Sequence, residues 1–479
     1  MNPPLMMLRD AGQEISSFSL NREFSPVARM HPDHSTFVLS RPHAMMITTK
    51  AAARIFFSGA FLIPPDLRRS TFKTAQYMKI KVKAQDFIVR EVSIPSFSDK
   101  PHNHAVFRLT KQDWDTFDLI ELLARRLKIS KQDISTGGIK DRYGITEQLI
   151  SIKNRRGLQE AVMALPPEDN FKLSFVGFHS AAITAKDIRG NHFTITIRDI
   201  PPADLGRLLA NAEIVKHWGI PNYYDEQRFG GARHGKGFMG KEIFRGSREK
   251  ALRLYFEPSK FDDPRTRTLK SCILENWGHW DRCLEGAQGE YRKVLTYLSQ
   301  HRRAFHKALS LIDRRFLVFT LNAYQSLLFN RILSAYLEEL QPEHDLHLDR
   351  LPYSQGFFLF HREVSEALFE QLQSKNLPVP GWDSRIEDPR IAEITAEVLE
   401  REGIELRDLK VRQMSRVYIN GVERPAILLP KDFGVEGNGE DELYENREKL
   451  TLRFFLPRGG YATLIVKRLE AGGQSRNRS

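Results

Sequence analysis

Lys140 and Asp141 stand side by side in GGIKDRYGITEQ (137–148), with Arg142 next, glycines at 137, 138 and 144, and Thr146 and Gln148 beyond. Opposite charge on both sides favours the ionised carboxylate, the form that acts as a nucleophile. Flanking glycines let a backbone approach a substrate closely, and Thr146 and Gln148 are placed to fix the loop. The competing reading is a surface turn whose aspartate bonds its own backbone.

The surrounding pattern says how this loop is positioned. KIKVKAQDFIVREV (79–92) predicts a strand, a short turn and a second strand, with Phe87, Val89 and Glu91 alternating against Ile88, Arg90 and Val92. HAVFRLTK (104–111) predicts another strand. DTFDLIELLARRLKI (115–129) predicts an amphipathic helix capped by Asp115 or Thr116, with Phe117, Leu119, Ile120, Leu123 and Leu127 as its apolar stripe. A strand resumes at QLISIKN (148–154), so Lys140 and Asp141 lie on a loop entering a strand. GNHFTITIRDI (190–200) puts Phe193, Ile195 and Ile197 on one strand face and Thr194 and Thr196 on the other. Helical patterns then dominate from about 219 to about 430, with a long helix over 316–340. KLTLRFFLP (449–457) and YATLIVKRL (461–469) read as closing strands around Arg458-Gly459-Gly460. Strands that stop and later resume predict an α+β protein: a sheet domain in two parts, 77–218 and 431–470, with a mostly helical insertion over 219–430.

Residues 1–76 show no clear period, and Asp66 is the only acid between 34 and 76. This stretch reads as a leader outside the fold, a transit segment being the rival reading; 471–479 reads as a disordered tail. At 479 residues and 41% apolar, the chain has material for two or three structural units. Its apolar runs stay short of the roughly 18 residues that span a bilayer, so no membrane partner is expected. Two cysteines, Cys272 and Cys283, make neither a zinc set nor a disulfide framework, which suits a reducing, cytoplasmic setting; no metal is expected. The net charge of +12 favours a polyanionic partner, nucleic acid first. That excess concentrates in 233–253, with seven Lys/Arg against two Glu, and in HRRAFHKALSLIDRR (301–315).

Six stretches, in order, resemble the TruD family of tRNA pseudouridine synthases. QDFIVRE (85–91) is similar to its D-F-x-V-x-E, GGIKDRYGITEQ to its G-x-K-D-x-x-A-x-T-x-Q, and RGNHF (189–193) to its G-N-x-F. GIPNYYDEQRFG (219–230) resembles V-P-N-Y-F-G-x-Q-R-F-G, LPRGGYAT (456–463) resembles L-P-x-G-x-Y-A-T, and NAYQSLLFN (322–330) adds a sixth match. Gly144 stands where the family pattern has Ala, and Asp225 where it has Gly, a replacement suited to a left-handed backbone position.

The resemblance implies a pseudouridine-synthase-like catalytic domain with a mixed, mainly antiparallel sheet, and isomerisation of uridine to pseudouridine in tRNA, at position 13. It implies Asp141 as nucleophile. A carboxylate suits work at a sugar C1′ or a pyrimidine C6. The target base must leave its stack and be held by an apolar platform and a hydrogen-bonding group. Asn191 and Phe193 are implied in that role, with Phe87 and Tyr461 lining the site. Lys81 matches a family lysine and is placed to reach a phosphate or anchor the loop; Arg228 and Phe229, where the sheet domain gives way to the insertion, read either as RNA contacts or as staples of the junction, the first favoured for Arg228 and the second for Phe229. The chemistry requires no metal and no organic cofactor, and a monomer acting on tRNA is expected. A non-catalytic RNA-binding protein or chaperone on the same fold is the alternative, but it has no use for Asp141. A metal-dependent nuclease would need converging carboxylates, and no acid pair stands out near the loop.

Overall fold

The computed structural model describes residues 78–166, 170–234, 236–259, 262–411, 417 and 419–472. The leader expected over 1–76 lies outside them, as does the expected tail beyond Gly472.

Eight strands make the main sheet: β1 (Phe87–Ser93), β2 (His104–Gln112), β3 (Ile134–Thr136), β4 (Ile145–Lys153), β5 (Phe171–His179), β6 (Ile188–Ile200), β7 (Lys431–Glu440) and β8 (Glu448–Pro457). Their order is β7-β8-β6-β1-β4-β2-β5, with β3 also on β4. Every pairing is antiparallel except β1 with β4. The sheet is therefore mixed and mainly antiparallel, and strands from both ends of the chain meet where β8 pairs β6, Phe454 opposite Phe193. β2 runs along the whole of one edge of β4, leaving the other edge to β1 at Ile145–Glu147 and to β3 at Ile150–Ile152.

Helix α1 (Thr116–Leu127) is capped by Asp115, whose carboxylate accepts from the Phe117 and Asp118 amides. It buries Leu119, Leu123 and Leu127 over Phe107, Leu109, Ile150 and Ile152, while Phe117, expected in the stripe, is exposed. The sheet's other core, around Phe87, Val89, Phe193 and Ile195, is continuous with the core of the segment between β6 and β7. There the 31-residue helix α3 (Arg314–His344) buries Leu321, Leu327, Leu328, Phe329 and Leu337.

Three expectations fail for identifiable reasons. Residues 79–83 form no strand, only a bridge from Lys79 to Arg198, and a tight turn at Ala84–Asp86 leads into β1. The closing segment is a helix, α4 (Ala462–Glu470), not a strand. Its Ile465 and Val466 favour strand locally; packing against helix α2 (Pro202–Trp218) decides otherwise. Arg207 and Asn211 of α2 donate to the carbonyls of Leu469 and Ala471, satisfying the end of α4. Finally, Cys272 and Cys283 form a disulfide. The helix Pro264–Glu275 ends, the chain turns at Gly278, and Cys283 returns to a Cα distance of 6.2 Å from Cys272. Cysteine count therefore supplies no argument for a reducing compartment. No described helix is long and apolar enough to cross a membrane.

Candidate active site

The loop 137–144 leaves β3 at Thr136, opposite Ile150, and re-enters the sheet at Ile145, opposite Ile88. It therefore emerges where β1 and β3 share one edge of β4, at the sheet's only parallel pairing. Gln148, fully buried, donates to Thr136 Oγ1 at 2.5 Å and to the Gly138 carbonyl at 3.1 Å. Thr116, at the first turn of α1, accepts from the Lys140 amide at 3.3 Å and lies 3.4 Å from the Lys140 carbonyl, to which its hydroxyl donates. Thr146 is also fully buried, but its hydroxyl has no partner among the described residues.

Gly137 and Gly144 serve internal packing, whereas a Cβ on Gly138 would meet open space. A Cβ on Gly137 would lie 2.3 Å from Ile188 Cγ1, and one on Gly144 would lie 2.5 Å from the Phe87 carbonyl oxygen. Gly144 also has φ +144°, strained for any side chain. Gly144→Ala, the residue of the family pattern, should therefore displace the loop against β1. We expect a loss of about 1–3 kcal/mol in stability and at least about tenfold lower turnover, read by thermal melting and a single-turnover assay. Wild-type behaviour would show that the loop accommodates the methyl without moving.

Asp141 is well exposed, its side chain 41% accessible, and Lys81 Nζ lies 3.0 Å from its Oδ1. The flanking cations do not serve it. Lys140 turns inward to Glu91 Oε2 and Asn191 Oδ1, both at 2.7 Å, and Arg142 leans on Tyr143. Adjacent side chains on an extended loop diverge, so the partner comes from a distant segment. Lys81 has φ +61°, an uncommon conformation for lysine, and its ammonium also lies 4.0 Å from the centre of the Phe87 ring. Lys81 thus meets the loop through the Asp141 carboxylate, in a partly solvated pair. Phe87 meets Phe193 edge-on at 6.2 Å, and Phe193 stacks on Phe454 at 5.6 Å. Both rings are nearly buried, forming the floor beneath Lys81. Asp141, Lys81, Phe87, Asn191 and Phe193 are thereby drawn together.

Tyr461 and Arg228 belong to a second group, at the junction of the sheet with the helical segment. Tyr461 meets Tyr224 edge-on at 6.1 Å; burial raises its phenol pKa, against the opposing pull of Arg228 and Arg424. Arg228 donates to Ser326 on α3 at 3.2 Å. Phe229 is core, stacked on Tyr353. Buried Arg424 donates to the Asn222 and Gly459 carbonyls at 2.8 and 2.9 Å, bonds the Asn222 side chain, and lies over the Tyr224 ring. Asp225 does not occupy a left-handed position. It is a buried partner of Lys467 and Thr463 on α4.

Two residues escaped the sequence reading although their strand phase marks them. Glu91 shares the parity of buried Phe87 and Val89, and Lys111 that of Ala105, Phe107 and Leu109. The Glu91 side chain is 1% accessible, and it accepts from the Leu149 amide as well as facing Lys140. Lys111 reaches the underside of the Asp141 loop. A charged residue in the apolar phase of a strand was the available signal.

Over most of its length the chain is similar to known proteins. Residues 71–469 match the family model described as tRNA pseudouridine synthase D (TruD). A probable tRNA pseudouridine synthase D 1 of Methanococcus maripaludis is 32% identical over 400 residues, 82% of this chain and 99% of that protein. The tRNA pseudouridine synthase D of Aquifex aeolicus is 28% identical over 397 residues, 82% of this chain and 98% of its own. The crystal structure of a putative tRNA pseudouridine synthase D from Methanosarcina mazei superposes with a TM-score of 0.62 at 27% identity, covering 82% of this chain and 93% of that one.

Proposed function

The chain belongs to the TruD family of tRNA pseudouridine synthases, enzymes that isomerise uridine to pseudouridine, and from that membership we propose that it acts on the uridine at position 13 of tRNA with Asp141 as nucleophile. The observation that carries the assignment of Asp141 is its setting: an exposed carboxylate, paired with Lys81 over the Phe87 ring, beside an inward-facing Asn191.

The isomerisation breaks the N1–C1′ bond, turns the uracil and joins C5 to C1′. The proton lost from C5 is balanced by one gained at N1, so no redox partner is required. A carboxylate can serve at C1′ or at C6, and in either case it must arrive charged. Lys81 supplies the neighbouring cation. Asn191 Oδ1 is taken by Lys140, which leaves the amide N–H groups to meet a pyrimidine carbonyl. Phe87 and Phe193 give that ring an apolar floor.

The helical segment over 219–430 forms the second wall of the RNA cleft in this reading. It carries both basic runs, and at the start of α3 exposed Phe316 and Phe319 accompany Arg314 and Arg315. Cations beside exposed rings suit a backbone of phosphates and unstacked bases. Incubating the protein with an unmodified tRNA transcript and mapping pseudouridine tests the proposal. Conversion at position 13 is expected; conversion elsewhere would overturn the site assignment, and none at all the activity on tRNA.

A further inference from the structure

Lys111, the last but one residue of β2, is 1% exposed. Its ammonium donates to three main-chain carbonyls: Trp114 at 2.9 Å, Lys140 at 3.4 Å and Asp141 at 2.7 Å. Among the described residues it forms no ion pair with a carboxylate. Burying an ammonium without a counter-ion is unfavourable, and filling space between two strands would be served better by an apolar side chain. The three carbonyls suit lysine, which brings three N–H donors on a single atom at the end of a long stem. The other loop contacts hold its neighbours: Gln148 bonds Gly138, and Thr116 bonds Lys140. Lys111 fastens the main chain of Asp141 itself.

We propose that Lys111 is a positioning residue for the reaction, its ammonium fixing the Asp141 main chain from inside the sheet so that the carboxylate stands at one height beside Lys81. This rests on Asp141 being the nucleophile. Lys111 never meets the substrate, so its loss acts on the chemical step and leaves tRNA binding intact. A displacement of about 1 Å at a reacting group costs roughly a hundredfold in rate.

The same geometry gives the residue a titration that the experiment can read. Burial pushes the Lys111 ammonium down to about 8, against Asp115 and Asp141, which favour the charge, and with Lys140, which opposes it. From the neighbouring strands it faces Thr146 on β4 and Phe171 on β5, neither charged. Below pH 8 three N–H groups meet three carbonyls; above it two remain. Turnover should therefore fall through an alkaline limb near pH 8.

The test uses the full chain and a tRNA transcript, measuring kcat, KM, tRNA affinity and melting from pH 6.5 to 9.5 for wild type, Lys111→Met and Thr116→Val. Lys111→Met should lower kcat about thirty- to a hundredfold, keep KM within about twofold, and lose the limb near pH 8. Thr116→Val should lower kcat several-fold and keep the limb. A limb caused by ionisation of the uridine would persist in Lys111→Met and would count against the proposal. So would wild-type kcat in Lys111→Met, or the absence of any limb in wild type. If Lys111→Met fails to fold, Lys111→Gln, which keeps N–H donors but has no proton to lose in this range, takes its place: loss of the limb supports the proposal and a retained limb overturns it. Asp141→Asn measured alongside separates the two ideas: activity there removes the nucleophile, whereas an inactive Asp141→Asn with unaffected Lys111→Met removes only the role of Lys111.

Discussion

Asp141→Asn is expected to fold, to bind tRNA as the wild type does, and to make no detectable pseudouridine. The substitution keeps the shape of the side chain and leaves an oxygen for Lys81, which lies 3.0 Å from Oδ1. The loop is held through main-chain groups, by Lys111, Thr116 and Gln148, and none of these bonds uses the carboxylate. The ion pair with Lys81 is partly solvated, and such pairs contribute about 1 kcal/mol or less, so melting should barely move. An amide is not a nucleophile at C1′ or C6, and removing a nucleophile typically costs about 10⁴-fold or more in kcat. Asp141→Glu keeps the charge but moves it by about one methylene, so a loss of roughly a hundredfold is expected. Pseudouridine formation measured beside tRNA affinity decides the matter: substantial turnover by Asp141→Asn would remove the central assignment.

Much of this site was legible because strands announce themselves by alternation. Phe193, Ile195 and Ile197 marked β6, and the match of QLISIKN to β4 placed Asp141 on a loop entering a strand. What that loop touches was not legible. The choice of Lys81 over Lys140 as partner depends on a turn 60 residues away in sequence, and on the inward pull of Glu91 and Asn191. The edge strand β7, KDFGVEGNGE, carries glycines and charges on both faces, and only its pairing with β8 makes it a strand. At α4, local preference and tertiary packing disagree, and packing prevails.

Arg198→Met should be the most destabilising single change away from the loop. Arg198 is 5% exposed and holds three carboxylates: Asp86 at 2.9 Å through Nε, Asp441 at 2.8 Å and Glu442 at 2.9 Å. Asp86 and Asp441 are buried, so methionine leaves two carboxylates without their cation, and breaking a buried pair in this way costs about 3–5 kcal/mol. The pH dependence gives the sign. In the wild type burial pushes the Asp441 carboxyl up, but the Asp199 and Leu443 amides and Arg198 outweigh it, and its folded value lies below the ordinary one. That contribution is present above the unfolded pKa and is lost as pH falls through the folded value. In Arg198→Met the abandoned carboxylates take up protons more readily when folded, so their penalty is relieved as pH falls. The second trend narrows the gap first and, below the unfolded value of about 4, both do, so the gap should be widest at pH 7 and smallest near pH 3.5 in urea titrations. The network also pins the approach to Lys81: Asp86 caps the turn by accepting from the Lys83 amide at 2.7 Å, and Lys79 pairs with Asp199. Loosening it should lower kcat in the fraction that remains folded, because Lys81 loses its fixed position beside Asp141. A deficit under about 1 kcal/mol at pH 7, or one that does not change with pH, would show that Arg198 is dispensable to both the fold and the loop.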